Sequence, residues 1–550
     1  MSYSITSEDK QLSFSRFAEV ALKLQVLNAD ETILDEITCI TEYGSLNIDS
    51  SSHVRRTFYF TLIPTDPALN IGEQAKIWIN KLAKLYVGMK TPRMSDYKWY
   101  PCGAFIYTDA SSSYNATDNS LSVNCGDKYK QLDGTQNGEL GALITTIPAY
   151  EADQNGNPIK YNVIRDILIT IITQLGNINN YVIDDIGEYK GMAQYNPEYA
   201  VYRTNHPRWN CVPYDLEYSV GSYVSNIIEE ITSLYPNYDA CFDENGVFTV
   251  GMIPNCTEDD VILTNDEIQP FLLSESCTTD LTTIRNVVHV WGETFEVDWY
   301  SDNVKNSNQI YTATIDKYSD DYMNGDLIAI KVPETNASTQ YINVNGIESI
   351  QIFDENTDKA LSANSLVKNT VYVFKFRKTY HNGSWIKRFY LLGQWQAHGL
   401  CALVDGTISD TLYTCSDGTS TPLYSKQYFQ DKYKVETVTL KVIKDSPYTV
   451  QKIGERLSAK ADGEYANITS DSLAAARAEY ELYKSSMITD NVTITINALL
   501  PWLSEYSKVS YVKKNEEIEK QYITDKISLN FSEGTTSITM YTFVPLYENN

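Results

Sequence analysis

Histidine is scarce: five residues in a chain of 550 leave little imidazole for proton transfer or metal ligation. They are His53, His206, His289, His381 and His398, and none opens an H-E-x-x-H or H-x-x-E-H zinc motif. His289 alternates with Val287 and Trp291 along a strand-like run and reads as structural. A G-x-S-x-G elbow and a P-loop are both missing, so neither an α/β-hydrolase nor a P-loop NTPase is indicated. No run approaches ~18 uninterrupted apolar residues, so no membrane-spanning helix is expected. The N-terminus lacks the charged-then-apolar pattern of a secretory leader, so N-x-S/T matches such as Asn115 and Asn467 carry no weight. The nine cysteines are Cys39, Cys102, Cys125, Cys211, Cys241, Cys256, Cys277, Cys401 and Cys415. They are scattered, odd in number and contain no C-x-x-C pair, which argues against a zinc site and a dense disulfide framework. Reduced, mostly buried thiols are expected. Cations are also short: Lys and Arg total 44 against 71 Asp and Glu, a net charge of −27. A nucleic-acid-binding face needs cations to neutralise phosphates, and no polybasic stripe supplies them.

Carboxylates are abundant, so adjacent pairs such as Asp184-Asp185, Asp259-Asp260 and Asp320-Asp321 arise by composition alone. None fits the EF-hand loop, and sequence spacing does not show two carboxyls facing one another across a sugar. The expectation is a protein that is not an enzyme and carries no cofactor and no metal.

What the chain does have is tyrosine, 42 residues of it. A large ring with a polar tip suits strands and half-wet interfaces. With 43% hydrophobic and 21% charged residues, the chain has material for about three to five ordinary domains. Ala18–Asn28 alternates through Val20, Leu22, Leu24 and Val26, and strands follow at Ile33–Ile40 and His53–Leu62. Lys76–Lys90 admits a helix, although its opening has period two. Helices are expected over Asn162–Leu175, capped by Gly176, over Ser222–Leu234, and over Asp471–Lys484, N-capped by Asp471. A hairpin turning at Glu244-Asn245-Gly246 joins two strands within Tyr238–Gly251. Lys508–Val512, Glu519–Ser528 and Ser537–Phe543 complete a terminal antiparallel sheet.

The resulting fold class is mainly β with α+β elements: β-barrel-like domains plus an inserted β-sandwich module. The expected divisions are an N-terminal β-barrel-like domain (1–155), an α+β domain (156–298), the insert (299–396) and a C-terminal domain of helix plus antiparallel sheet (397–550) that resumes the scaffold. Arg55 and Arg56 alternate across the two faces of a strand, so one of them points inward or into a partner. In so acidic a chain they are candidates for a subunit salt bridge. Tyr380, Trp385, Tyr390 and Trp395 in the insert are candidates for stacking on sugars. Alternation along the strand favours the core for Trp385.

Four stretches together resemble the tail-hub (baseplate hub, or tail-tip) proteins of tailed bacteriophages and related contractile injection systems. The first is Leu22–Asn28, Ile37–Asp49 and Ser52-His53-Val54-Arg55-Arg56-Thr57. The second is Gly103–Thr108 with Leu121–Asp133, through Gly126-Asp127-Lys128-Tyr129. The third is Val163–Leu175 with Tyr238–Val250. The last is Asn497-Ala498-Leu499-Leu500-Pro501-Trp502-Leu503, Val509-Ser510-Tyr511 and Tyr522–Phe531. They cover most of the chain outside Trp299–Gln396, which looks like small β-sandwich modules of phage fibres and baseplates.

The resemblance implies a structural virion protein, a homotrimer whose paired barrel-like domains form a pseudo-sixfold ring that closes or continues the tail tube. Its implied neighbours are the tail tube or distal tail protein and tip, fibre or receptor-binding proteins, in a tail assembled in the host cytoplasm. Genomic DNA would pass through an acidic lumen without specific binding. Many relatives carry a C-terminal peptidase or lysozyme-like domain; this chain ends at Asn550 with no room for one, which argues against lysis. The alternatives are a host-surface glycan-binding tail protein acting through the insert, and a cell-wall-degrading tail enzyme.

Overall fold

The computed structural model describes residues 5–542 apart from 38–39, 115–118, 143, 155–157, 185–209, 213–214, 234–237, 254–260, 280, 295–296, 298, 319–320, 356, 369, 382–383, 410, 415–417, 436, 444–445, 463–464, 467, 469–470 and 487–489. The protein is mainly β: among the described residues 47% lie in strands against 15% in helices.

Strand alternation at both ends of the chain builds one nearly closed, barrel-like sheet of 12 strands. In Arg56–Leu62 the residues Phe58, Phe60 and Leu62 point inward while Thr57 and Tyr59 face out. Each such ring or branched side chain removed from water contributes about 1.5–3 kcal/mol. The sheet path runs Leu272–Thr279, Asp490–Ile496, Thr535–Tyr541, Lys520–Asn530, Ile40–Asp49, Arg56–Leu62, Asn119–Asp127, Lys98–Tyr114, Lys81–Lys90, Glu19–Asn28 and Ile33–Ile37. Lys508–Tyr511 pairs with Lys520–Asn530 off that path. The first and last parts of the chain meet where Ile40–Asp49 pairs antiparallel with Lys520–Asn530, setting Leu46 opposite Leu529 and Ile48 opposite Ile527. All four are buried in one apolar core. The Lys76–Lys90 ambiguity resolves as a strand, Lys81–Lys90, whose residues Leu82, Ala83, Leu85, Val87 and Met89 are buried.

The short helix Ser7–Ser13 packs against this core through Leu12, and Trp502 Nε1 donates to Ser13 Oγ at 2.8 Å. Lys10 pairs with Glu267 at 3.0 Å, and the Phe14 and Phe271 rings lie 4.9 Å apart.

A second core lies under the helices. The expected Asn162–Leu175 helix is α-helical over Ile164–Thr170 and continues as a π turn through Ile171–Leu175, with Gly176 at its cap. Val224–Ser233 forms the next helix. Ile164, Leu168, Ile172, Ile227 and Ile231 pack with Phe242 and Phe248 of a three-stranded sheet, in which Phe248–Met252 pairs with Tyr181–Ile183 and Tyr238–Phe242.

The helix Asp471–Ser485 lies on a four-stranded sheet of Val438–Val442, Gln396–Val404, Val287–Thr294 and Leu457–Lys460. Its alanine content has a packing reason. A Cβ on Gly399 would sit 2.2 Å from Ala475 N, so strand and helix backbones are nearly in contact. Between the strands Val287–Thr294 and Gln396–Val404 the chain builds a separate nine-stranded sheet, from Trp299 to Gln394. That sheet has its own core of Tyr311, Ile328, Phe374, Phe376 and Phe389.

Candidate functional site

Arg55 and Arg56 stand where the strand Arg56–Leu62 begins, and both are buried, at 2% and 1% exposure. Consecutive strand residues point to opposite faces, so burying both takes cover on both sides. Arg55 pairs with Asp239, whose carboxylate also accepts from Tyr506 OH at 2.7 Å. The Arg55 guanidinium lies 5.8 Å from the centre of the Tyr506 ring. Arg56 Nη2 donates to Glu505 Oε2 at 2.6 Å, and its Nη1 donates to the Phe242 carbonyl. The Arg56 backbone N–H donates to Asp127 Oδ2 at 2.8 Å, and Tyr129 N–H donates to Asp127 Oδ1 at 2.9 Å. Burial opposes the charge on Glu505, but Arg56 and Arg55 outweigh it and hold that pKa below the usual carboxylate range. At Asp127 burial wins over the two N–H donors and the arginines, and its pKa rises to about 6.

The arginines expected at a subunit contact are therefore engaged inside a single chain. They join the main sheet to the Tyr238–Met252 hairpin and to the Ser504–Tyr506 segment. The physical reason is the cost of an unpaired buried guanidinium, which the chain meets with its own carboxylates.

The hairpin is pressed onto the sheet at its turn. Gly246 has φ +77°, and a Cβ there would lie 2.4 Å from the Ala104 Cβ. Lys128 Nζ donates to the Gly246 carbonyl at 3.2 Å. A cleft of ≈ 510 Å³ runs past this junction, lined among others by Arg56, Asp239, Cys241, Glu505 and Lys508. Asp239 and Glu505 are each held by an arginine, and burial pushes the Cys241 thiol up to about 12. Such groups suit a clamp: the acids are neutralised and the sulfur stays protonated.

The aromatic candidates divide. Tyr380 and Trp385 face one another across the Val371–His381 and Ser384–Gln394 strands, with rings 5.1 Å apart and edge-on. They are 56% and 55% exposed, and Lys378 Nζ sits 5.2 Å from the Trp385 ring centre. Trp385 is thus outside the core that alternation favoured. The hairpin runs past its buried part, where Phe374, Phe376 and Phe389 lie. Trp395 is partly exposed and meets Tyr300 at 5.4 Å. Tyr390 is buried, donating to Asp358 Oδ1 at 2.8 Å and accepting from Arg388 Nη1 at 3.2 Å.

A histidine pair escaped the reading of spacing. His289 Nε2 lies 3.2 Å from His398 Nδ1, and His398 Nε2 lies 2.9 Å from Gln394 Oε1. Trp291 stacks beside both imidazoles. Burial lowers both histidine pKa values to about 4, with His398 adding to the effect at His289. Asp471, expected to cap its own helix, instead accepts from His398 N–H at 3.0 Å and Gln394 N–H at 3.4 Å. Burial raises its pKa to about 6.

Among the described residues no group of three or more His, Cys, Asp or Glu is placed to hold a metal ion. Cys102, Cys125, Cys241 and Cys401 are buried free thiols, while Cys277 is exposed. Cys39, Cys256, Cys415, His206, Asn115, Asn467, Asp185, Asp259, Asp260 and Asp320 lie outside the described residues, as does the His381 side chain. No helix among the described residues is long and apolar enough to cross a membrane.

Comparison with known proteins matches residues 445–547 to a domain of unknown function, DUF5048. No curated protein matches. Among solved structures the chain is similar to a tail protein from Neisseria meningitidis MC58, at 8% identity and a TM-score of 0.42, over 95% of this chain and 96% of that one. It is similar to the 43 kDa tail protein of prophage MuSo2 from Shewanella oneidensis, at 7% identity and a TM-score of 0.43, over 96% and 100%. A chain of the lidded Francisella PdpA-VgrG complex aligns at 8% identity and a TM-score of 0.37, over 97% of this chain and 54% of that one.

Proposed function

We propose that this chain is a structural tail-hub protein, a homotrimer that closes or continues a tail tube and joins it to tip or fibre proteins. The observation that supports it is the convergence at Arg56. Ser52–Thr57, Leu121–Asp133 and Tyr238–Val250, three of the stretches that resemble the hub family, supply Arg56, Asp127 and Phe242. Glu505 follows two residues after a fourth stretch, Asn497–Leu503. Segments far apart in sequence thus close one junction. In this reading residues 299–396 are a module inserted between two strands of the scaffold, and the hub domains are 1–155, 156–298 and 397–550.

With −27 on each chain, a ring of three gives an acidic bore past which DNA slides without adhering. No catalysis is assigned to the chain. Its place is the virion tail, beside a tube or distal tail protein. Light scattering of the purified chain tests the reading: a mass of three times 62.3 kDa is expected, and a stable single copy overturns it.

A second reading has its own observation. Tyr380 and Trp385 form an exposed edge-on pair at the end of a strand hairpin, a geometry suited to stacking on a sugar ring. Binding of the full chain to a glycan array, lost in Trp385→Ala, supports a host-surface glycan contact. An array without signal removes it.

A further inference from the structure

The hairpin of residues 371–394 departs in composition from the rest of the chain. It holds the basic residues Lys375, Arg377, Lys378, Lys387 and Arg388 and no Asp or Glu, in a chain with 71 acidic residues against 44 basic ones. Its two strands set like charges directly opposite one another, Arg377 against Arg388 and Lys378 against Lys387. Such pairs destabilise a sheet unless other groups neutralise them. Carboxylates from neighbouring segments meet three of these cations. Glu355 pairs with Arg377, Asp358 with Arg388 at 2.7 Å and Glu348 with Lys387 at 2.6 Å. Lys378 makes no ion pair among the described residues, and its ammonium rests beside the Trp385 ring.

Strand alternation fixes which groups share a face. Phe376 and Phe389 lie opposite one another in the core of the insert, with rings 5.4 Å apart. Two residues outward on the same face stand Lys378 and Lys387, and two further outward stand Tyr380 and Trp385. The core-facing side of the hairpin thus runs past its core. It ends in an exposed aromatic pair with one cation behind it that no described carboxylate neutralises. Lys375 lies on the other face of the hairpin, opposite Tyr390.

An aromatic ring offers an apolar surface to the C–H side of a sugar, and an ammonium binds a carboxylate or phosphate through charge-assisted hydrogen bonds. A polynucleotide needs several cations along its backbone, whereas three of the four here already hold carboxylates of the chain. A neutral sugar would cover the rings and leave Lys378 without a mate. We propose that the end of this hairpin binds an acidic saccharide, its ring against Trp385 and Tyr380 and its carboxylate or phosphate on Lys378 Nζ. The proposal rests on the glycan reading above and narrows it to sugars that carry one negative group beside the stacked ring.

The test titrates the full chain against three immobilised oligosaccharides of equal length: one of glucose, one bearing glucuronate and one bearing glucose 6-phosphate. At least one acidic probe should bind roughly three- to fivefold more tightly than the neutral one, the contribution of an exposed ion pair. Which of the two does so separates carboxylate from phosphate. Lys378→Gln should remove that preference and keep the neutral affinity, with thermal unfolding unchanged, and Trp385→Ala should remove binding of every probe. Lys375→Gln, a charge lost from the other face, should leave the preference intact. Equal affinity for neutral and acidic probes, or an acidic preference that survives Lys378→Gln, overturns the proposal and leaves the glycan reading standing. A preference lost equally in Lys375→Gln and Lys378→Gln overturns it too, since general charge would then explain the binding. No binding to any oligosaccharide overturns both.

Discussion

Arg56 and Glu505 lie 449 residues apart in the chain and form a buried ion pair at 2.6 Å. Removing one partner leaves the other charged and desolvated, a cost of about 3–5 kcal/mol. Glu505→Ala should lower unfolding free energy by that order in urea titration. Lys526→Ala, which breaks a half-exposed pair with Asp49, should cost under about 1 kcal/mol. Equal effects would remove the clamp from the account.

Gly246 tests whether the Tyr238–Met252 hairpin is seated on the sheet. Gly246→Ala adds a Cβ into Ala104 and imposes a left-handed φ on a side chain. A destabilisation of about 1–3 kcal/mol is expected by denaturant unfolding. A neutral result would mean that the turn stands clear of the sheet.

The buried histidines set a pH dependence with a definite sign. The unfolded chain protonates His289 and His398 near pH 6.5, while the folded chain does so only near 4. The unfolded state therefore binds more protons in between, and this contribution to stability falls as pH drops from about 6.5 to 4. Asp127 and Asp471, raised to about 6 by burial, act the other way and favour the folded state below that pH. His289→Gln/His398→Gln should thus lose less stability than the parent between pH 6.5 and 4, read from urea midpoints. An identical loss would place the histidines in water.

Position decides the effect of losing an aromatic ring in the Val371–Gln394 hairpin. Trp385→Ala, at an exposed site, should change stability by no more than about 0.5 kcal/mol. Phe389→Ala, in the core with Tyr322 and Phe376, should cost about 3–5 kcal/mol. Thermal unfolding of the two variants side by side checks both.

Strand alternation made much of the fold legible. Val20, Leu22, Leu24 and Val26 marked one strand, and Glu244-Asn245-Gly246 marked a turn that the structure contains. Periodicity reports only which face of an element is apolar. It does not say which strands pair, so the Leu46–Leu529 and Ile48–Ile527 registers carried no local signal. The same limit hid the mates of Arg55 and Arg56, since the need for a carboxylate was visible but its source at Asp239 and Glu505 was not. Asp471 matched a helix cap by sequence, yet the approach of Gln394 and His398 N–H groups captured its oxygens. Trp385 had the right period for the core, but period does not tell how far a hairpin projects beyond it.

The central claim, three copies closed about one axis, is tested most directly by electron cryomicroscopy of the purified assembly. The account predicts a threefold particle with a hollow bore lined by carboxylates. A single copy, or a ring whose bore is lined by lysine and arginine, would contradict it.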